Sequence, residues 1–181
     1  RYFIKNLIRK KENFELVTTN TTKTEIKEFE GLKYKSYYFS NNEFDNNLLR
    51  DLKSSNKILI SIPPKNKKDI VIKIFSDCFK KNKFDWIVYL SATSVYGNND
   101  GKWVDESMVP KPTSIKGIAR LEAEKSWLNY YKNYNQPVQI FRLSGIYSPE
   151  SNIIKRLQLG TLKVVKKTNH FFSRIHIEDI A

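Results

Sequence analysis

The stretch Trp86-Ile87-Val88-Tyr89-Leu90, followed by Ser91-Ala92-Thr93-Ser94 and Val95-Tyr96-Gly97, narrows most what this chain can become. A β-branched and aromatic run this short, bounded by turn formers, has the pattern of a central parallel strand buried on both faces. Small polar residues at the carboxyl end of such a strand are where open α/β sheets place ligand contacts. A site is therefore sought first at Ser91–Ser94.

The flanking sequence is read as strands alternating with helices. Phe3, Ile4, Leu7 and Ile8 form an apolar helical face with no cap before it, which predicts a chain that begins in mid-helix with a segment upstream. Phe14–Thr18 is expected to be a strand, Thr19–Lys23 a polar turn, and the next stretch an acidic helix ending before Gly31. Tyr34–Phe39 is expected to be a strand, Asn41–Lys53 a helix, and Lys57–Ile62 a strand stopped by Pro63-Pro64. A helix over Asp69–Lys81 then feeds the Trp86 strand. After a polar loop, Asn98–Ser114, the spacing predicts a long helix over Ile115–Tyr134. It carries Leu121, Trp127, Leu128 and Tyr131 inward, with Arg120 and Glu124 paired on its surface. Pro137–Leu143 reads as another buried strand, with Ser144–Pro149 turning out of it. Beyond lie a short helix (Asn152–Leu159), strand-like Leu162–Val165 and Ser173–Ile177, and a helix start with acids in its first turn. No hairpin signal is seen, so the pattern predicts βαβ units around a parallel sheet covered on both sides.

Composition removes several classes. At 181 residues, a single domain with one substantial core is the default. No run approaches the roughly 18 apolar residues of a membrane helix. One cysteine, Cys78, excludes an internal disulfide and a multi-cysteine zinc site and points to a reducing compartment. It shares a helical stripe with Ile70, Ile74 and Phe75 and is read as core, not as a nucleophile. The net charge of +13, from 32 basic and 19 acidic residues, raises nucleic acid as a partner. The basic residues are scattered in ones, twos and threes, without the interleaved aromatics of a strand-binding face, so a solvated lysine surface is preferred.

At three places the sequence resembles the short-chain dehydrogenase/reductase superfamily in its extended, sugar-nucleotide epimerase-like form. These are Leu90–Gly97 (LSATSVYG), Phe141–Pro149 (FRLSGIYSP) and Arg174–Ala181 (RIHIEDIA). The combination of Pro112-Thr113-Ser114, Gly117, Arg120, Glu124 and Ile62-Pro63-Pro64 is similar to its atypical branch of NAD-dependent epimerase or dehydratase type. The resemblance implies a Rossmann-like doubly wound parallel sheet, truncated at both ends. Residues 1–150 would form an incomplete NAD(P)-binding domain and residues 151–181 the start of a smaller substrate-side region. The family's first strand and glycine-rich phosphate turn would lie upstream; no GxGxxG or GxxGxxG run occurs between Arg1 and Ala181.

The family's proton-transfer set is altered. Its Ser or Thr position is Ala92, and the Tyr-x-x-x-Lys pair falls on Lys116 and Arg120. Arginine stays protonated, so Arg120 is limited to binding ribose or phosphate oxygens. Lys116 is either an amine with a depressed pKa beside that cation or, as the plainer reading has it, a solvated helix-start lysine. Ser91, Thr93 and Ser94 offer replacement hydroxyls, and a strand-end turn accounts for them equally. The candidate catalytic residues are thus Thr93, Lys116 and Arg120.

Cofactor contacts are expected at Thr19, Thr22, Lys23, Ile62, Pro63, Ser91 and Ala92. With no acid at the second-strand end for a ribose 2′-hydroxyl, the reading leans to NADP over NAD. Arg174 is expected to replace a substrate-phosphate arginine whose family position is Phe172. Asp105 and Glu106 are read as a solvated loop, and His176 as strand-to-helix architecture. No metal site is expected. The function so implied is a cytoplasmic NAD(P)-dependent epimerase/dehydratase- or reductase-like protein acting on a small molecule, a sugar or sugar nucleotide. A non-catalytic NADP(H)-binding sensor or scaffold is the rival, and a nucleic-acid-binding module ranks third. Extended members commonly form homodimers through the helix that is Ile115–Tyr134 here, although Trp127 and Tyr131 are equally explained as core.

Overall fold

The structure, a computed structural model, describes residues 1–11, 13–65, 68–163 and 171–181. Helix α1 (Tyr2–Arg9) leads to β1 (Val17–Asn20), β2 (Glu25–Phe29), β3 (Leu32–Ser40) and β4 (Glu43–Phe44). Then come α2 (Asn46–Ser54), β5 (Lys57–Ile60), α3 (Ile70–Lys81) and β6 (Trp86–Ala92). A 3-10 turn (Thr93–Tyr96) separates β6 from α4 (Ile115–Tyr134), which is followed by β7 (Val138–Leu143), β8 (Gly145–Tyr147), α5 (Ile153–Gln158), β9 (Arg174–His176) and α6 (Ile177–Ile180).

Strands β5-β6-β7 form a parallel sheet with β6 in the middle, Ile60 beside Tyr89 and Ala92 beside Leu143. A second sheet joins β1 to β3 in parallel, with β2 and β4 antiparallel to β3. The architecture is α/β and Rossmann-like, as expected. The expected acidic helix before Gly31 is instead β2. Glu25–Phe29 pairs antiparallel with β3, and Glu30 and Gly31, with φ of 49° and 82°, turn the chain tightly back along it. Asn41, at φ 56°, likewise turns β3 into β4. The hairpins that the sequence did not signal are therefore two. Ser144–Pro149 also holds a strand, β8, parallel to β9 in a third, two-stranded sheet. The strand expected over Leu162–Val165 extends outside the described residues.

Two polar clamps order the helix layer. Asp69 caps α3 by accepting from the Val71 and Ile72 amides, and its other oxygen accepts from Trp127 Nε1 at 2.9 Å. Gln136 donates from Nε2 to the Phe79 and Asn82 carbonyls at 2.7 and 2.6 Å. Between them Phe79, Tyr89 and Trp127, each fully buried, pack edge to face or stacked. Cys78 lies in this core, and burial pushes its thiol pKa up. The buried stripe of α4 runs Ala119, Ala123, Trp127, Tyr130. Leu128 and Tyr131, expected inside, sit one residue past it and are exposed.

Candidate functional site at the carboxyl ends of the strands

Because Ile60 is abreast of Tyr89, the chain leaving β5 at Ser61–Pro63 emerges level with Leu90–Ala92 at the end of β6. Ser91 is buried, Ala92 and Thr93 are half-buried and Ser94 is exposed, so this ledge is only partly covered. The Ser91 hydroxyl is buried and finds no hydrogen-bond partner among the described residues. A buried hydroxyl without a partner is costly unless something is bound to it.

Gly97, at φ 74°, ends the 3-10 turn, and a Cβ there would lie 2.1 Å from the Lys111 carbonyl oxygen. The loop over Asn98–Ser114 then returns to α4, whose N-cap Ser114 accepts from the Gly117 amide. Gly117 brings this helix end against the turn: a Cβ would stand 2.5 Å from the Ser94 carbonyl oxygen. Lys116 is exposed in that first helical turn. Arg120, one turn on, donates to the Leu90 carbonyl and lies 3.4 Å from the Tyr89 hydroxyl, fastening α4 to β6. Burial raises Tyr89 to about 12.

Glu124 does not pair with Arg120 on the helix surface. It is buried and accepts from Arg142 Nε and Nη2, the latter at 2.8 Å, while Arg142 Nη1 donates to the Tyr96 hydroxyl at 2.9 Å. The Glu124 carboxylate raises the Arg142 pKa further above its already high ordinary value. One guanidinium thus ties β7 to α4 and to the tyrosine of the VYG turn. A charged residue in an apolar strand and another on the buried stripe of a helix were the available signals for this pair.

The other expected residues are distributed as follows. Thr19, Ser61 and Ile62 line a cleft between β1 and β5 with a cavity of about 170 Å³. Thr22 and Lys23 are exposed in the turn after β1, where Asn20 Oδ1 accepts from both their amides. Pro63 is exposed beside Ile62. Arg174 is on β9, its guanidinium 5.2 Å from the Phe172 ring centre and packed against Gly145. Asp105 accepts from the Ser107 amide and hydroxyl, which hold its carboxyl below the usual range. His176 ends β9 with its ring 5.0 Å from that of Tyr147. Among the described residues no group of three or more His, Cys, Asp or Glu is arranged to hold a metal, and no helix is long and apolar enough to cross a membrane.

A parallel sheet with a hydroxyl-rich ledge after its central strand defines the class: an α/β, Rossmann-like fold. The NAD dependent epimerase/dehydratase family profile matches residues 69–181, more than half of the chain, and the chain belongs to that family. Human dTDP-D-glucose 4,6-dehydratase is 36% identical over 62 residues, which are 34% of this chain and 18% of that protein. A conserved protein of unknown function from Silicibacter pomeroyi is 33% identical with a TM-score of 0.68, covering 81% of this chain and 50% of that one. MoeE5, solved with UDP-glucose and NAD, superposes with a TM-score of 0.75 at 16% identity, over 99% of this chain and 64% of that one. At that identity the likeness is one of fold. The chain spans about half the length of the first of these solved proteins and less than a fifth of the curated relative.

Proposed function

We propose that residues 1–150 form the nucleotide-binding part, and residues 151–181 the start of the substrate side, of a cytoplasmic NAD(P)-dependent epimerase or dehydratase acting on a sugar or sugar nucleotide. The observation that carries this reading is the unpartnered Ser91 hydroxyl, set on a half-open ledge level with Ile62 and Pro63 in a chain of this family. The residues present fit the adenosine side of a dinucleotide: Thr19 and Ile62 border one cleft and Ser91–Thr93 the next strand end. Residues 1–181 hold no glycine-rich turn for the pyrophosphate. When bound, the nicotinamide supplies hydride transfer.

The chain's own groups then divide the remaining work. The Thr93 hydroxyl orients the reacting carbon's oxygen, and Lys116 exchanges the proton, being the side chain at the family's tyrosine position that can lose one. Arg120 acts as a positioning residue through the Leu90 carbonyl. Arg174 takes a substrate phosphate. NADP is favoured over NAD, because β1 ends in Thr18-Thr19-Asn20 with Lys23 in the following turn and no carboxylate for a ribose 2′-hydroxyl. The exposed Leu128 and Tyr131 on α4 suit a homodimer through that helix.

A second reading, a non-catalytic NADP(H)-binding sensor, is favoured by Ala92, Lys116 and Arg120 standing together where the proton-transfer set belongs, with Arg120 already engaged by the backbone. Fluorescence titration with NADPH and NADH, followed by turnover assays on UDP- and dTDP-hexoses, separates the two. Turnover that falls at least tenfold in Lys116→Ala, with unchanged NADPH affinity, supports the enzyme. Saturable binding with no turnover supports the sensor, and absence of both overturns the nucleotide-binding reading.

A further inference from the structure

Strand β2 ends its sheet: among the described residues it bonds only to β3, and its other edge is open. Phe29 and Leu32 flank the two-residue turn Glu30-Gly31, and in such a hairpin the flanking pair is the hydrogen-bonded one. Alternation along β2 then turns the amide and carbonyl of Ile26 and of Glu28 away from β3, toward the open edge. Ile26 is 73% exposed, more than any other large apolar side chain of a described strand. Glu25 and Lys27, on either side of it, share the opposite face of the sheet, with their charged groups 3.5 Å apart. Charge on an edge strand ordinarily blocks strand addition. This edge carries both signs, two residues apart.

We propose that β2 is a self-association edge, which pairs antiparallel with β2 of a second copy of this chain about a two-fold axis through Ile26. In that register the two Ile26 side chains meet, and each Glu25 lies opposite the other copy's Lys27. The Glu25–Lys27 contact already present within each chain then closes into a ring of four charges alternating in sign. Charge also rejects the neighbouring registers. An axis through Lys27 opposes the two lysines, and an axis between Ile26 and Lys27 opposes Glu25 to Glu28. A second copy supplies the complementary order of charges by symmetry alone. Five residues of strand bury less than the roughly 800 Å² per partner of a stable complex, so the dimer is transient and forms as concentration rises. The edge lies in a different sheet from β6 and on a different element from α4. The inference therefore rests neither on the nucleotide-binding reading nor on a dimer through that helix.

The test is sedimentation velocity and amide hydrogen exchange on the 181-residue protein over a dilution series. The weight-average mass should rise with concentration, and exchange in Glu25–Phe29 should slow by roughly threefold or more between the ends of the series. Lys27→Glu and Glu25→Lys each set like charges opposite one another and should each weaken association by roughly tenfold or more. An equimolar mixture of the two variants opposes unlike charges again and should regain association to within about threefold of the original protein. The double exchange Glu25→Lys with Lys27→Glu in one chain should do the same. It keeps the composition of the strand, so it decides the matter if a single variant fails to fold. A mass that stays monomeric at every concentration overturns the proposal. So does association without slower exchange in Glu25–Phe29, or failure of the folded variants to restore association by mixing or by double exchange. Association that Leu128→Lys abolishes and the β2 variants leave unchanged assigns the contact to α4 and likewise overturns it.

Discussion

Arg142 and Glu124 form a bidentate ion pair at 2.8–3.2 Å, with the Glu124 side chain only 1% exposed. The pair joins the end of β7 to the middle of α4, and the remaining guanidinium nitrogen, Nη1, donates to the Tyr96 hydroxyl. Removing one partner leaves the other charged and unpaired in the interior. Arg142→Met or Glu124→Gln should therefore lower unfolding free energy by about 3–5 kcal/mol in urea titrations, while the double change Glu124→Leu with Arg142→Met should recover much of that loss. Equal losses in the single and double variants would show that the pair contributes through packing alone.

Tyr89 supplies a pH prediction. Its phenol is held neutral by burial, at about 12 against an ordinary value near 10. A raised folded-state value favours the protonated form, so the contribution is complete below pH 10 and is lost as pH climbs from 10 to about 12. At 1.36 kcal/mol per unit the loss is roughly 2–3 kcal/mol. Stability measured across that window should fall less steeply in Tyr89→Phe.

Gly117 lets α4 approach the Ser94 carbonyl more closely than any side chain allows. Gly117→Ala should destabilise by about 1–3 kcal/mol despite alanine's better helix propensity. A stabilised Gly117→Ala protein in thermal melts would show that the helix end can move away without cost.

Asp69 accepts three hydrogen bonds, two from its own helix and one from Trp127. Asp69→Asn keeps an oxygen for the cap and sets an amide against the indole N–H, so a loss of roughly 1–3 kcal/mol is expected, with altered Trp127 fluorescence. Asp69→Ala should cost more, because the cap goes as well.

The parts of the fold legible in the sequence are those whose pattern is long and regular. The start of β6 follows from its β-branched and aromatic run, and α3 falls within the range expected for it, whereas α4 has the expected bounds but buries Gly117, Ala119, Ala123, Glu124, Trp127 and Tyr130 in place of the expected apolar stripe. The Glu25–Phe29 segment misled because its composition suits a helix, whereas its conformation is set by pairing with β3, a contact no local signal announces. The Glu30-Gly31 turn lacks the usual asparagine or aspartate, and β4 is only two residues long. At the candidate site the ledge was visible as a change from β-branched to hydroxyl residues. Helical spacing pairs Glu124 with Arg120, but its partner is 18 residues away on a strand, and only the packing of α4 against β7 brings them together.

Asp69 near one end of α3 and Gln136 at the other fasten that helix to the α4 side of the layer at two separated points. Sliding or rolling either helix would strip both joints at once. Whatever arrives at the upper rim thus meets a floor that behaves as one plate, and any adjustment falls to the loops above it, chiefly the long connection between Gly97 and Ser114.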